Sequence, residues 1–185
     1  MATSSITANF EKGGIMALPK ENASALNIYL ETSFFSYLTG RETPVELIAL
    51  RQNSTRLWWR DESVKYNLFI SQHVTTEAAD GSPDMAAKRL EACRDLKMLD
   101  GSTDEVDQLA KALLAAHAVP NTEVTDAYHI ATAAVYKMDV LLTWNCKHMA
   151  NRFALPKTIS VVQKAGYDCP AIVTPDDFMK EELDA

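Results

Sequence analysis

TDAYHIATAAVYKMDVLLTWNCKH, residues 125–148, changes its hydrophobic period halfway along. Behind Asp126, the apolar residues Ile130, Ala133 and Ala134 recur at helical spacing, up to about Met138. Asp139–Trp144, DVLLTW, is then a short unbroken apolar run, the pattern of a strand covered on both faces. A helix followed at once by such a strand is the repeating piece of a parallel sheet with helical crossovers.

The same alternation holds outward in both directions. ALNIYL (25–30) reads as the first strand and SFFSYL as a short helix that stops at Gly40. Pro44 opens a long helix to about Glu62, with Leu47, Leu50, Leu57 and Trp58 predicted on its inner side. YNLFIS (66–71) is the second strand, and a helix carrying Glu77 follows and breaks at Gly81. Ser82, Pro83 and Asp84 make a strong start for a helix running to about Leu96, and 96–99 offers a third strand. Ser102 and Glu105 have capping-box spacing before a helix that ends ahead of Pro120. Beyond Asn145, NCKHMANRF reads as a helical turn. A helix from Pro156 to Gly166, a strand AIVT and a helix capped by Thr174, Pro175 and Asp177 complete the chain. The expectation is an α/β domain over residues 26–185 with four to five short strands. Residues 1–25 read as a flexible or loosely docked extension.

Composition bounds the function. The chain has 185 residues, 47% of them hydrophobic, enough for a core without disulfides or structural metal. A net charge of -7 argues against a broad basic surface that coats nucleic acid, but not against an acidic site that holds cations. Cys93, Cys146 and Cys169 show no paired or zinc-ligand spacing, which suggests reduced thiols in a cytoplasmic protein. No stretch approaches the roughly 18 apolar residues of a membrane span. The sequence also lacks a glycine-rich phosphate loop and a GxSxG elbow.

In open parallel sheets, ligands collect beyond the carboxyl ends of the strands. Glu31 directly follows the first strand, Asn145 directly follows DVLLTW, Glu77 lies a turn or two beyond the second strand, and Asp126 sits near the start of its helix. Singly, each has an ordinary reading. A Glu after a strand is usually solvated, an Asp in a first helical turn serves the dipole, and an Asn after a strand caps. Together, three carboxylates and an amide from four distant places converge on one edge. That is the oxygen-rich setting which Mg²⁺ or Mn²⁺ prefers.

Three segments carry a resemblance. IYLETSFFSYL, ISQHVTTEAADGSP and the opening stretch at 125–148 resemble, in order, the motifs of PIN domains, over about Ile28 to Lys147. The subgroup resembled is bacterial and related to the VapC toxins of toxin–antitoxin pairs. The resemblance implies a Rossmann-like α/β/α sandwich with a mostly parallel sheet and an Mg²⁺- or Mn²⁺-dependent endoribonuclease centre. It implies Glu31, Glu77 and Asp126 as metal-binding acids and Asn145 as a fourth catalytic position. Thr32 or Ser33 would be the supporting hydroxyl. RNA is the implied substrate, an antitoxin a possible partner, and a homodimer the implied assembly. Two positions depart from the family pattern: Glu31 stands where Asp is commonest, and Asn145 where many members carry Asp. The alternative reading is therefore a degenerate module that binds RNA or protein without cutting.

His129, one turn beyond Asp126, could contact a phosphate or pack against the sheet, and Lys147 could contact a phosphate or be solvated. Trp58, Trp59, Arg51, Arg56 and Arg60 could stack and bind a strand of nucleic acid, but a core place for Trp58 is the stronger reading. A phosphatase using an aspartyl nucleophile would want Asp at Glu31 and a second acid at Ser33, which ranks it last.

Overall fold

The computed structural model describes residues 25–183, so the expected extension over 1–25 lies outside the described residues except for Ala25. Five strands form one sheet: β1 (Asn27–Leu30), β2 (Asn67–Ser71), β3 (Lys97–Leu99), β4 (Val140–Leu142) and β5 (Ala171–Val173). Their order is β3-β2-β1-β4-β5 and every pairing is parallel, so the sheet is wholly rather than mostly parallel. The chain builds outward from β1 on one side, then crosses back to β4 on the other. The reversal falls between β1 and β4, where doubly wound sheets form their crevice.

Among the described residues, eight α-helices flank the sheet: α1 (Thr32–Thr39), α2 (Glu46–Asp61), α3 (Gln72–Ala78), α4 (Pro83–Cys93), α5 (Asp104–Ala115), α6 (Val124–Val135), α7 (Leu155–Lys164) and α8 (Pro175–Leu183). One group packs α1 against α2, α3 and α4, with α8 on α2; the other packs α5 against α6 and α7. β1 and β4 are buried on both faces, as their unbroken apolar runs require. Among the described residues, no helix is long and apolar enough to cross a membrane.

Several boundaries differ from the sequence reading. The inner side of α2 is not the leucine side: Leu47 and Leu50 are 59% and 57% exposed and Leu57 is exposed too, while Gln52, Thr55 and Trp58 are buried. The two polar residues can be buried because each has a partner. Gln52 Nε2 donates to the Arg41 carbonyl, and Thr55 Oγ1 donates to the Arg51 carbonyl while accepting from Trp144 Nε1. The cap of α5 is Thr103, whose hydroxyl accepts from the Val106 amide; the cap thus lies one residue past Ser102, and with Val106 three residues on no capping box forms. α4 stops at Cys93. α6 stops at Val135 because Lys137 turns left-handed (φ 55°) and the Met138 amide reaches back to the Ala133 carbonyl.

Gly101, just past β3, is held tightly against α3 and α6. A Cβ there would lie 2.7 Å from His73 Cδ2 and 3.1 Å from Thr132 Oγ1. Gly101→Ala is expected to cost about 1–3 kcal/mol by urea unfolding. An unchanged midpoint would mean that His73 gives way freely.

Candidate active site

Glu31 stands immediately before α1, directly past β1 and beside the reversal of the sheet, and its side chain does not cap the helix. It is 5% exposed. Ser33, two residues on, donates its hydroxyl to Glu31 Oε2, and Thr143 Oγ1 at the end of β4 donates to the same oxygen at 2.8 Å. Each hydroxyl is in turn oriented by a backbone amide: Trp144 N donates to Ser33 Oγ at 2.8 Å and Asn145 N to Thr143 Oγ1 at 2.9 Å.

Glu77 comes from α3. Its Oε2 accepts from Thr32 Oγ1 at 2.5 Å and lies 3.0 Å from His129 Nε2. Burial pushes this carboxyl up. The hydrogen bond and charge of His129, the Thr32 hydroxyl and the charge of His73 outweigh that and hold it below its ordinary value. Asp126, in the first turn of α6, accepts at Oδ2 from Asn145 Nδ2 at 2.9 Å and has His148 Nδ1 at 3.2 Å from the same oxygen. Its pKa is pushed up to about 6, first by burial and then by the charge of Glu31, against the lowering influence of His129, Asn145 and His148. Glu31 is thus near enough for its charge to reach Asp126.

The hydrogen bonds share a pattern. At each acid they all end on one oxygen: Oε2 of Glu31, Oε2 of Glu77 and Oδ2 of Asp126. The other oxygen of each accepts nothing from a described residue, and none of the three is sealed from solvent. Among the described residues, no Lys or Arg nitrogen lies within ion-pair distance of these carboxylates. One oxygen clamped and one left open, without a neutralising cation, is a donor set that could hold a divalent metal.

Ligand atoms gather most closely in two neighbouring groups, Glu31 with Glu77 and His129, and Glu123 with Asp126 and His148, each within 4.8 Å. The sequence reading brought Glu31, Glu77, Asp126 and Asn145 to one edge but left Glu123, His148, Thr143 and Tyr29 out. Glu123 sits one turn before Asp126 and His148 three residues past Asn145, spacings that offered a signal; Thr143 and Tyr29 offered none. Asn145 also accepts the His148 amide through Oδ1, so it caps its turn and holds Asp126 at once. The phosphate contact considered for His129 does not fit: the ring is fully buried with both nitrogens engaged. Thr32 is buried against Glu77, Ser33 is half-buried, and Lys147 is exposed at the rim. Trp58 is a core residue, as its spacing suggested.

These elements and this strand order define the α/β fold of PIN domains. Among the solved proteins similar to it is VapC20 of Mycobacterium tuberculosis, described as a sarcin-ricin loop cleaving toxin, at 16% identity over 65% of this chain and 91% of that one, with a TM-score of 0.51. VapBC2 of Rickettsia felis, solved with a DNA fragment from its promoter, matches at 12% identity over 80% of this chain and 98% of that one, with a TM-score of 0.47. No protein-family model matches the chain, and no curated protein matches it.

Proposed function

We propose that this chain is a metal-dependent endoribonuclease of the VapC type, with Glu31, Glu77 and Asp126 as the residues that hold Mg²⁺ or Mn²⁺. The observation that carries the reading is the set of three carboxylates at the sheet's reversal, each with one oxygen fixed by protein donors and one open. A bound cation supplies a more acidic water and offsets charge on a phosphate.

The chain's own residues do the rest. Thr32, Ser33, Thr143 and the Asn145 amide fix the carboxylates, so the longer arm of Glu31 is held by two hydroxyls. The neutral Asn145 serves Asp126 as a donor in place of a fourth charge. Exposed Lys147, two residues beyond Asn145, is placed to meet a phosphate of RNA. His148, grouped with Glu123 and Asp126, offers a nitrogen donor, which suits Mn²⁺ better than Mg²⁺. A cytoplasmic location and a protein partner, either an antitoxin or a second copy of this chain, belong to the same reading.

The test is cleavage of assorted RNAs by the full chain with Mn²⁺, Mg²⁺ or EDTA. Cleavage is expected with metal, none with EDTA, and a loss of about 100-fold in Glu77→Gln. Equal cutting by variant and parent would remove the site assignment. Mn²⁺ binding without cleavage would favour the binding-module reading.

A further inference from the structure

Behind Glu77 lies a polar chain that the nuclease reading does not use. Tyr29, in the middle of the central strand, is completely buried, yet its hydroxyl touches two side chains: Ser71 Oγ at 2.7 Å and His129 Nδ1 at 2.8 Å. The other nitrogen of His129 lies 3.0 Å from Glu77 Oε2. Ser71 and His129 are also fully buried, so four residues from β1, β2, α3 and α6 form one line from the core to the site.

We propose that His129 is the positioning residue of Glu77, held by the Tyr29 hydroxyl in the Nε2–H tautomer so that its single proton points at Glu77 Oε2. The protons leave little choice. A carboxylate can only accept, so the bond to Glu77 needs a proton on His129 Nε2. When the ring is neutral, Nδ1 is bare and must accept, and among the described residues the donor against it is the Tyr29 hydroxyl. Tyr29 gives its proton to His129 and accepts one from Ser71, whose hydroxyl is free to rotate toward it. The buried phenol keeps its proton, since burial pushes its pKa well up. The result is a fixed order: Ser71 to Tyr29, Tyr29 to His129, His129 to Glu77.

The arrangement decides which oxygen of Glu77 is free. With His129 and Thr32 both on Oε2, the carboxylate cannot rotate about its terminal bond without losing two donors, and Oε1 stays turned to the open side. Partners of this kind behind a metal-binding group are commonly worth about 10–100-fold in metal affinity. This effect on the cation rests on the nuclease reading above; the tautomer does not.

Two measurements on the full chain test the proposal. The first is the ¹⁵N spectrum of the imidazole rings in metal-free protein at about pH 8, above the ordinary imidazole range. His129 is expected with Nε2 protonated and Nδ1 bare, and Tyr29→Phe should shift the ring toward a mixture of tautomers. The second is Mn²⁺ affinity, read by the EPR signal of free Mn²⁺ after addition of MnCl₂. His129→Leu should weaken binding by about 10–100-fold and Tyr29→Phe by about threefold. His129→Gln, which places an amide N–H near the position of Nε2, should stay within about threefold of the parent, a rescue that mere filling of space would not give. A proton on Nδ1 of the parent's His129 would overturn the proposal. So would parental affinity in folded His129→Leu and Tyr29→Phe. If His129→Leu does not fold, Tyr29→Phe decides the affinity arm. If the parent binds no Mn²⁺, the nuclease reading falls, and the spectrum alone decides the role of His129.

Discussion

Asp126→Asn is expected to reduce metal-dependent RNA cleavage by about 100-fold or more while making the metal-free protein more stable. Both effects have one source. Asp126 is buried next to the charge of Glu31, which pushes its pKa up to about 6. The folded chain therefore holds this proton more tightly than the unfolded chain does, and the resulting stability is full below about pH 4 and lost as pH rises through about 6. Above pH 6 the ionised group works against folding by about 3 kcal/mol, a cost of burial first and of the Glu31 charge second that a bound cation would offset. Asn has the same shape and no charge, and its oxygen can still accept from Asn145. Urea unfolding at pH 7.5 without metal should show the variant more stable than the parent, with the difference gone near pH 4. Added Mn²⁺ should raise the parent's midpoint at pH 7.5, do little at pH 5, and leave the variant unmoved. A variant less stable than the parent at pH 7.5 would count against the charge argument.

Trp58→Ala is expected to lower stability by about 3–5 kcal/mol, the largest loss from a single core truncation here. Trp58 is fully buried and sits edge-on to Phe34 at 5.3 Å, stacked with Tyr66 at 6.1 Å and edge-on to Phe178 at 6.3 Å. It thereby joins α2 to α1, to the turn ahead of β2, and to α8. Its Nε1 has no hydrogen-bond partner among the described residues, and a buried N–H left alone costs about 1–3 kcal/mol. Trp58→Phe gives up ring area but also that unpaired donor, so its loss should stay below about 2 kcal/mol. A Phe variant as unstable as the Ala variant would show that the indole's second ring, rather than its unpaired nitrogen, dominates.

The parts of the fold that were legible in the sequence are those written in strong local patterns. β1, β2 and β4 announced themselves as short, mostly apolar runs, and Thr174 with Asp177 capped α8 as read, through hydrogen bonds of 2.8 and 3.2 Å. What was hidden depended on partners far along the chain. Leu47, Leu50 and Leu57 look like a core stripe, but Gln52 and Thr55 are buried instead because Arg41, Arg51 and Trp144 supply their hydrogen bonds. α5 and α6 end two residues before His117 and Lys137, left-handed residues that no glycine marks. At the site, the acids were legible because strand ends can be located from sequence. Their hydroxyl and imidazole partners were not: Thr143 meets Glu31 across 112 residues and His129 meets Glu77 across 52.

The clamps on Glu31 bridge the two inner strands. The Glu31 amide donates to the Leu142 carbonyl at 3.1 Å, the Thr143 hydroxyl reaches back to Glu31, and the Trp144 amide reaches Ser33. Glu31 is thus stitched into the seam between β1 and β4 instead of riding on a movable loop. Such a centre lasts as long as the folded chain does, because central strands part only in whole-chain unfolding. Under the proposed nuclease function, discrimination among RNAs would fall to exposed residues outside that seam, such as Lys147.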